Sequence, residues 1–413
     1  MATYDRADCF QHSNCLSQIT RQMFKLKAAL AALLILAVTP TSASATLNPQ
    51  EIPSVFEKLL GTPTLSNPAM IVIDGSTGQT IYEKNIYAQR KPASVLKVLT
   101  AAMVLQYLDP LKVFTTEVSI APEVNTVYIK GSLDPWIGTT HSVARKMNRA
   151  SLTHMASNAT NAVRSYNAGE LADYTVVYSG LYEQDVKNLK TYWAKRGFKP
   201  VFKAEKTLDI SSLATVPVVT ETSPPVAKIL DWMMLWSDNQ LADRLARLSS
   251  QAAGEPFGIL GVERIFKKLL TELQIDSTKL VVKDASGLSR SNKVTAKMIG
   301  ELLYKLRKDP RFIGLHSVLP VSGVSGTLNE RFIETAPTAV GLVRAKTGSL
   351  NGTVTLAGYV ESSDREYVFV TLADEIPRGY TSLKKARAAI DKILGRIAAP
   401  NIPAEISPLP INP

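Results

Sequence analysis

A chain of 413 residues, 45% hydrophobic and 20% charged, has ordinary globular composition and length for two or three domain-sized units. Its only thiols, Cys9 and Cys15, lie near the N-terminus, so the rest of the chain has no disulfide framework, cysteine-based metal site or cysteine nucleophile. The net charge of +11 favours anionic surroundings. Its basic residues are scattered, without a nucleic-acid motif or a basic block interleaved with aromatics, so a solvated basic surface is expected and a nucleic-acid partner is not.

The first segment has the features of an export signal. Lys25 and Lys27 precede an unbroken apolar run over 28–38, too short to span a bilayer comfortably. Thr39-Pro40 breaks the run, and Ala43-Ser44-Ala45 offers the small residues a signal peptidase needs. Residues 1–45 therefore read as a signal peptide with an upstream extension, Met23 being an alternative start. They carry a net +2, so +9 remains after processing. No later segment reaches transmembrane length, and the Pro-rich tail 400–413 has no amphipathic helix to lie on a membrane. The expectation is an exported protein of the periplasm or extracellular cell-wall space, with no stable membrane insertion after cleavage.

Further along, a β-rich run over 69–74, the turn Gly75-Ser76-Thr77-Gly78 and a second run over 79–82 predict a β-hairpin. Lys91-Pro92-Ala93 leads into Ser94, and the largely apolar helical pattern over 95–107 puts Ser94 at a helix N-terminus. Strands are predicted over 114–121 and 126–130, followed by the turn Gly131-Ser132-Leu133-Asp134-Pro135. Residues 136–220 change texture, with polar helical stretches, a strand-like 174–178 and a helix near 185–196, and read as an insertion. His141, His154 and the Trp136 region within it are expected to be structural.

Pro224 and Pro225 open a helix to about Trp236; Ser237-Asp238-Asn239 falls on a helix–helix connection before helical spacing resumes over 241–248. Amphipathic helices over 257–273 and 294–306 flank the loop Asp284-Ala285-Ser286-Gly287-Leu288-Ser289. Paired strands over 353–360 and 367–372 follow Lys346-Thr347-Gly348, and 382–398 is a closing helix. Strands at both ends with helices between them predict an α+β fold, an antiparallel sheet packed on a helical layer.

Three short motifs carry chemistry: Ser94-Val95-Leu96-Lys97, Ser237-Asp238-Asn239 and Lys346-Thr347-Gly348. A serine hydroxyl needs a base within hydrogen-bond reach, and on a helix Lys97 shares a face with Ser94. Burial and a second cation, for which Lys346 is the candidate, lower a lysine pKa enough for it to accept a proton. Ser237 would complete a proton path to the leaving amine, and Asn239 would hold Lys97 and the substrate amide. Lys346 and Thr347 would bind a terminal carboxylate, with Asp238 also in the binding set, and Gly348 would leave room for substrate along the strand edge. Backbone N–H groups of Ser94 and Ser349 would form an oxyanion hole.

The first two motifs taken alone are close to chance, while Lys-Thr-Gly occurs once. Ser-x-x-Lys recurs at Ser382-Leu383-Lys384-Lys385, and Ser-x-Asn at Ser165-Tyr166-Asn167 and Ser349-Leu350-Asn351. Ser382 comes after Lys-Thr-Gly and fails on order; Ser165 has no apolar helix before it.

At these motifs the chain resembles the penicillin-binding proteins and serine β-lactamases. Ser223-Pro224-Pro225, the 284–289 loop, Leu319-Pro320-Val321-Ser322-Gly323, Gly326-Thr327-Leu328 and Lys346-Thr347-Gly348-Ser349-Leu350 narrow the likeness. They resemble the class C low-molecular-mass penicillin-binding proteins, D-alanyl-D-alanine carboxypeptidases that can also act as endopeptidases. The likeness covers roughly residues 50–135 and 220–395. It implies a transpeptidase-like domain split into 46–135 and 221–399, with 136–220 inserted as a smaller domain. It also implies a peptidoglycan stem-peptide substrate, acylation by β-lactam antibiotics such as penicillin, and no metal or other cofactor. Three features depart from the family pattern: Gly131-Ser132-Leu133-Asp134-Pro135 only approximates the family's Gly-rich Asp-Pro turn, Ala285 stands where a glycine is common, and the interval from Ser94 to Ser237, 143 residues, is shorter than in larger relatives.

The alternatives differ in class. A class A β-lactamase would carry Glu-x-x-Leu-Asn between the second and third motifs, and none stands between Asn239 and Lys346, so penicillin is expected to form a long-lived adduct. A catalytically silent wall-binding protein of the same fold would not need intact motifs. An α/β-hydrolase needs Gly-x-Ser-x-Gly and a late histidine; Gly323-Val324-Ser325-Gly326 is one residue short, and no histidine follows His316.

Overall fold

The structure, a computed structural model, describes residues 47–399 apart from Thr62, Ala172 and Asp364. The expected signal peptide and Pro-rich tail lie outside the described residues. In chain order the strands are β1 (Ala69–Asp74), β2 (Thr80–Lys84), β3 (Thr115–Ala121), β4 (Thr126–Gly131), β5 (Thr175–Ser179), β6 (Val201–Ala204), β7 (Val216–Thr222), β8 (Val343–Leu350), β9 (Thr353–Ser362) and β10 (Arg365–Ala373).

The first sheet has the order β2-β1-β10-β9-β8 and is antiparallel throughout. It is covered on both faces, which is why β1 and β10 read as near-continuous apolar runs. Alternation sorts their side chains: Ala69, Ile71 and Ile73 face a layer built from the helices Lys97–Tyr107, Val226–Trp236, Asn239–Ala252, Ile259–Glu272 and Ala296–Lys308. Met70 and Val72 face the opposite layer, the helices Ile52–Leu60 and Tyr380–Gly395. The fold is α+β, an antiparallel sheet flanked by helices on both faces. Among the described residues, no helix is long and apolar enough to cross a membrane.

The second sheet has the order β6-β5-β4-β3-β7. It differs from expectation in two ways. The strands β3 and β4 pair with the inserted segment and not with the first sheet, so the second sheet begins before residue 136. The strands β4, β5 and β6 run parallel, because the helices Leu152–Tyr166 and Glu183–Ala194 form the crossovers that parallel neighbours require. Trp193 anchors the core under this sheet, donating to the Ala156 carbonyl at 2.9 Å and the Thr160 hydroxyl at 3.0 Å. His154 pairs through Nδ1 with Glu221 Oε1 at 2.5 Å and stacks on His141, joining β7 to the neighbouring helices. A buried ion pair, Arg244 to Asp185 at 2.8 Å, ties the helix that begins at Asn239 to the inserted segment; Arg244 also donates to the Pro135 carbonyl.

The triplet Lys346-Thr347-Gly348 lies inside an edge strand, β8, and not ahead of a strand. Its register against β9 is Lys346↔Ala357, Thr347↔Leu356 and Gly348↔Thr355. The open edge of β8 packs against the turn that carries Ser94.

Candidate active site

Ser94 sits in a 3₁₀ turn, Ala93–Leu96, which runs directly into the helix Lys97–Tyr107. A 3₁₀ turn eclipses residues i and i+3, so Lys97 stands over Ser94 more directly than an α-helical start would place it. Its Nζ is 3.0 Å from Ser94 Oγ.

The turn is held from several sides. Arg90 and the Lys91 N–H bind the two oxygens of Asp374 at 3.0 and 3.1 Å, and the Thr355 hydroxyl donates to the Pro92 carbonyl at 2.8 Å. Ala93, just before the serine, has φ 46°, a left-handed conformation that costs a non-glycine residue about 1–2 kcal/mol. Two glycines make this possible. Gly287 (φ 80°) lies against the Ala93 carbonyl with no room for a Cβ. A Cβ on Gly348 would overlap Thr355 Oγ1 and lie 3.0 Å from both Ala93 Cβ and the Pro92 carbonyl oxygen. The glycine of the third motif is therefore required where β8 meets both the Thr355 hydroxyl of β9 and the serine turn. Gly348→Ala is expected to push that turn outward and lower the acylation rate about 100-fold, measured by stopped-flow with a chromogenic β-lactam.

Lys97 is fully buried and donates to three oxygens: Ser94 Oγ, Asn239 Oδ1 at 2.7 Å and the Ser286 carbonyl at 2.7 Å. Burial pulls its pKa down to about 8, against the opposing charges of Asp243, Asp238 and Asp284. Lys346 is also fully buried and donates to the Thr347 carbonyl at 3.1 Å. Burial, then the charge of Lys97, holds it well below the usual lysine range.

The second motif divides its work. Ser237 is the C-cap of the helix Val226–Trp236, in the left-handed conformation (φ 60°). Asp238 is the N-cap of the next helix, one carboxylate oxygen accepting from the Leu241 N–H at 3.0 Å. Asn239 is the first residue of that helix and points its amide oxygen at Lys97. Ser94, Lys97 and Asn239 are thus joined by hydrogen bonds, with Lys346 close enough for the charge of Lys97 to lower its pKa. The Ser237 hydroxyl makes no side-chain hydrogen bond to either lysine among the described residues. On β8, Thr347 pairs its hydroxyl with Thr327 at 2.7 Å, and the Ser349 hydroxyl accepts from Arg387 at 3.0 Å.

This arrangement, a serine under a buried lysine with a side-chain amide and a second buried lysine beside it, is matched by a family. The D-Ala-D-Ala carboxypeptidase 3 (S13) family model matches residues 54–165 and 184–397. The chain belongs to that family. Carboxypeptidase DacB of Mycolicibacterium smegmatis is 27% identical over 414 residues, covering 86% of this chain and 90% of that protein. A D-alanyl-D-alanine carboxypeptidase of Actinomadura sp. is 37% identical over 157 residues, 36% of this chain and 28% of that protein. The crystal structure of penicillin-binding protein 4 (dacB) from Haemophilus influenzae shares the fold, with a TM-score of 0.63 at 17% identity over 84% of this chain and 98% of that one. A predatory endopeptidase from Bdellovibrio bacteriovorus shares it at a TM-score of 0.53 and 19% identity, over 81% and 93% of the two chains.

Several residues at the site go beyond the three motifs. The Ser286 carbonyl is held toward Lys97 by its loop: Asp284 accepts from the N–H groups of Ser286 (3.0 Å), Gly287 (2.6 Å) and Ser289 (2.5 Å). Asp243, one helical turn past Asn239, accepts from the Ala285 N–H at 2.8 Å, and Thr100 donates to the Ala285 carbonyl at 2.7 Å. The Asp-x-Ser-Gly pattern announces a side-chain-stabilised turn; that its carbonyl meets the lysine is visible only in three dimensions.

The lowered pKa gives pH dependences with a definite sign. A neutral Lys97 is the form that accepts a proton, so acylation is expected to rise about tenfold per pH unit up to about 8 and then level off. Stability follows the same direction. The unfolded chain binds the lysine proton up to about 10.5 and the folded chain only up to about 8, so stability rises with pH between those values. A pH series of β-lactam acylation rates checks the first statement.

Proposed function

We propose that this chain is a serine D-Ala-D-Ala carboxypeptidase that trims peptidoglycan stem peptides in the periplasm or cell-wall space and is acylated by penicillin at Ser94. The observation that carries the reading is the buried amine of Lys97 at 3.0 Å from Ser94 Oγ, with its pKa brought down to about 8.

In the mechanism this supports, neutral Lys97 takes the Ser94 proton as Oγ attacks the carbonyl of the penultimate D-Ala. The oxyanion is stabilised by the backbone N–H groups of Ser94 and Ser349. The proton then passes from Lys97 to the leaving amine, by way of Ser237 once its hydroxyl, which bonds neither lysine in the free protein, turns toward Lys97, and free D-Ala departs. Water then hydrolyses the ester, with Lys97 again as base. Asn239 fixes Lys97 through Oδ1 and has its amide N–H₂ left for the substrate. Lys346 lies beside Lys97 where two positive charges disfavour each other, so one of the two lysines stays neutral and able to accept a proton, and Lys346 would meet the substrate carboxylate. A peptide cross-link offers the same D-Ala carbonyl with a larger leaving amine, so endopeptidase activity would use the same groups.

Family membership supports the carboxypeptidase reading, and the H. influenzae protein has also been solved in complex with a β-lactam. The test is incubation with a stem peptide ending in D-Ala-D-Ala and, separately, with benzylpenicillin. Release of D-Ala together with stoichiometric, slowly released penicillin is expected. Rapid penicillin turnover would favour a β-lactamase; neither reaction would favour a silent wall-binding protein.

A further inference from the structure

The turn that follows β4 meets the inserted segment at a buried polar cluster that the chemistry at Ser94 does not use. Asp134 of that turn is 1% exposed, and its Oδ1 accepts from the Trp136 N–H at 2.8 Å. Arg244, on the helix that begins at Asn239, donates to Asp185 Oδ1 at 2.8 Å and to the Pro135 carbonyl at 3.2 Å. Its guanidinium lies 4.1 Å from the centre of the Tyr182 ring. Tyr182 is the N-cap of the helix Glu183–Ala194, and Asp185 lies in the first turn of that helix.

Three buried atoms of this cluster have no hydrogen-bond partner among the described residues: Asp134 Oδ2, Asp185 Oδ2 and the Tyr182 hydroxyl. Orphans of this kind are rare in folded proteins. With both carboxyls ionised, they offer one donor, the tyrosine O–H, for two carboxylate oxygens. One added proton balances the set: a protonated Asp134 can donate to the Tyr182 oxygen, and the Tyr182 O–H to Asp185 Oδ2. Asp134 is the carboxyl to carry it. Asp185 is bonded to Arg244 and stands at a helix N-terminus, and both favour its ionised form. The charges that act on Asp134 are those of Arg149, Asp185 and Arg244, and Arg247 joins them at Tyr182. Burial, against the Trp136 N–H and Arg149, pushes the Asp134 pKa up to about 7. Burial raises the Tyr182 pKa as well, so its hydroxyl keeps its proton.

We infer that a single proton, held on the Asp134 carboxyl, locks the inserted segment to the helix that carries Asn239. The lock joins three elements: the turn after β4, the helix Glu183–Ala194 and the helix Asn239–Ala252. Loss of the proton to solvent leaves two carboxylates beside one buried arginine, and the junction opens more readily. The folded chain keeps the proton up to about 7 and an unfolded aspartate only up to 3.8, so the stability it contributes is lost as pH rises between those values. That window lies below the one set by Lys97, and the sign is opposite.

Infrared spectra of the whole protein read the proton directly. At about pH 6 the wild type is expected to show the carbonyl band of a protonated carboxyl, to lose it by about pH 8, and to owe it to a group that Asp134→Asn lacks. In Tyr182→Phe the band should disappear about one pH unit lower, the worth of one hydrogen bond. Relative to Asp134→Asn, whose amide supplies a donor at every pH, the thermal midpoint of wild type should fall by about 2 °C per pH unit between about pH 5 and pH 7. A wild type without a protonated carboxyl at about pH 6 overturns the inference, as does a band that persists in Asp134→Asn. A midpoint with the same pH profile in both proteins also overturns it, because the proton would then hold nothing. If Asp134→Asn does not fold, Tyr182→Phe carries the test, and a band that titrates there as in wild type contradicts the lock.

Discussion

Replacing Ser94 by alanine is expected to lower D-Ala release by about four orders of magnitude or more and to abolish covalent labelling by penicillin. Alanine deletes one oxygen and nothing else. The turn is held by backbone and by neighbours: the Val95 N–H to the Pro92 carbonyl, the Thr355 hydroxyl to the same oxygen, and the close approaches of Gly287 and Gly348. None of these needs the Ser94 hydroxyl. Lys97 keeps two of its three acceptors, Asn239 Oδ1 and the Ser286 carbonyl. The variant should therefore fold normally and still bind substrate, separating loss of the nucleophile from loss of the site. Binding by the inactive variant, measured calorimetrically with a D-Ala-D-Ala peptide, should stay near that of wild type.

Lys97→Met is expected to slow acylation about 1,000-fold, in the middle of the range for a lost general base, without unfolding the protein. Methionine has a similar length and no charge. The substitution leaves two acceptors, Asn239 Oδ1 and the Ser286 carbonyl, without their donor, a cost of about 1–3 kcal/mol for each buried group. Against this it removes a cation from a fully buried position, whose desolvation is worth several kcal/mol. The two terms nearly offset, so the thermal midpoint should stay within about 3 °C of wild type. The residual acylation should also lose its rise toward pH 8, because the group that titrates there is gone. A variant that retains the pH profile would show that another group serves as base; Lys346, equally buried, would be the first to examine.

The parts of this site that were legible in the sequence are those in which local spacing dictates geometry. Ser94 and Lys97 meet because they are three apart at a helix start. Asn239 could be placed because two apolar helical patterns stop and resume around it. The closing helix and the strands β9 and β10 were readable from periodicity because both faces of the sheet are covered. The parts that were hidden depend on what meets what across the fold. A carbonyl such as that of Ser286 has no residue-type signature, since every residue carries one. The crowding at Gly348 comes from Thr355 on β9 and from Pro92 and Ala93, which reach it because β8 is an edge strand against the serine turn. The strands β3 and β4 have the pattern of half-buried strands wherever they pair, so alternation could not say that they extend the second sheet. Arg387 reads as one more cation on a solvated helix face until Ser349 is found against it.

The most direct test of convergence at Ser94 is mass spectrometry of the protein after benzylpenicillin, first intact and then as peptides. The account predicts one penicilloyl group per chain, carried by the peptide containing Ser94 and missing from Ser94→Ala. An adduct on another residue, or one that persists in Ser94→Ala, would contradict it.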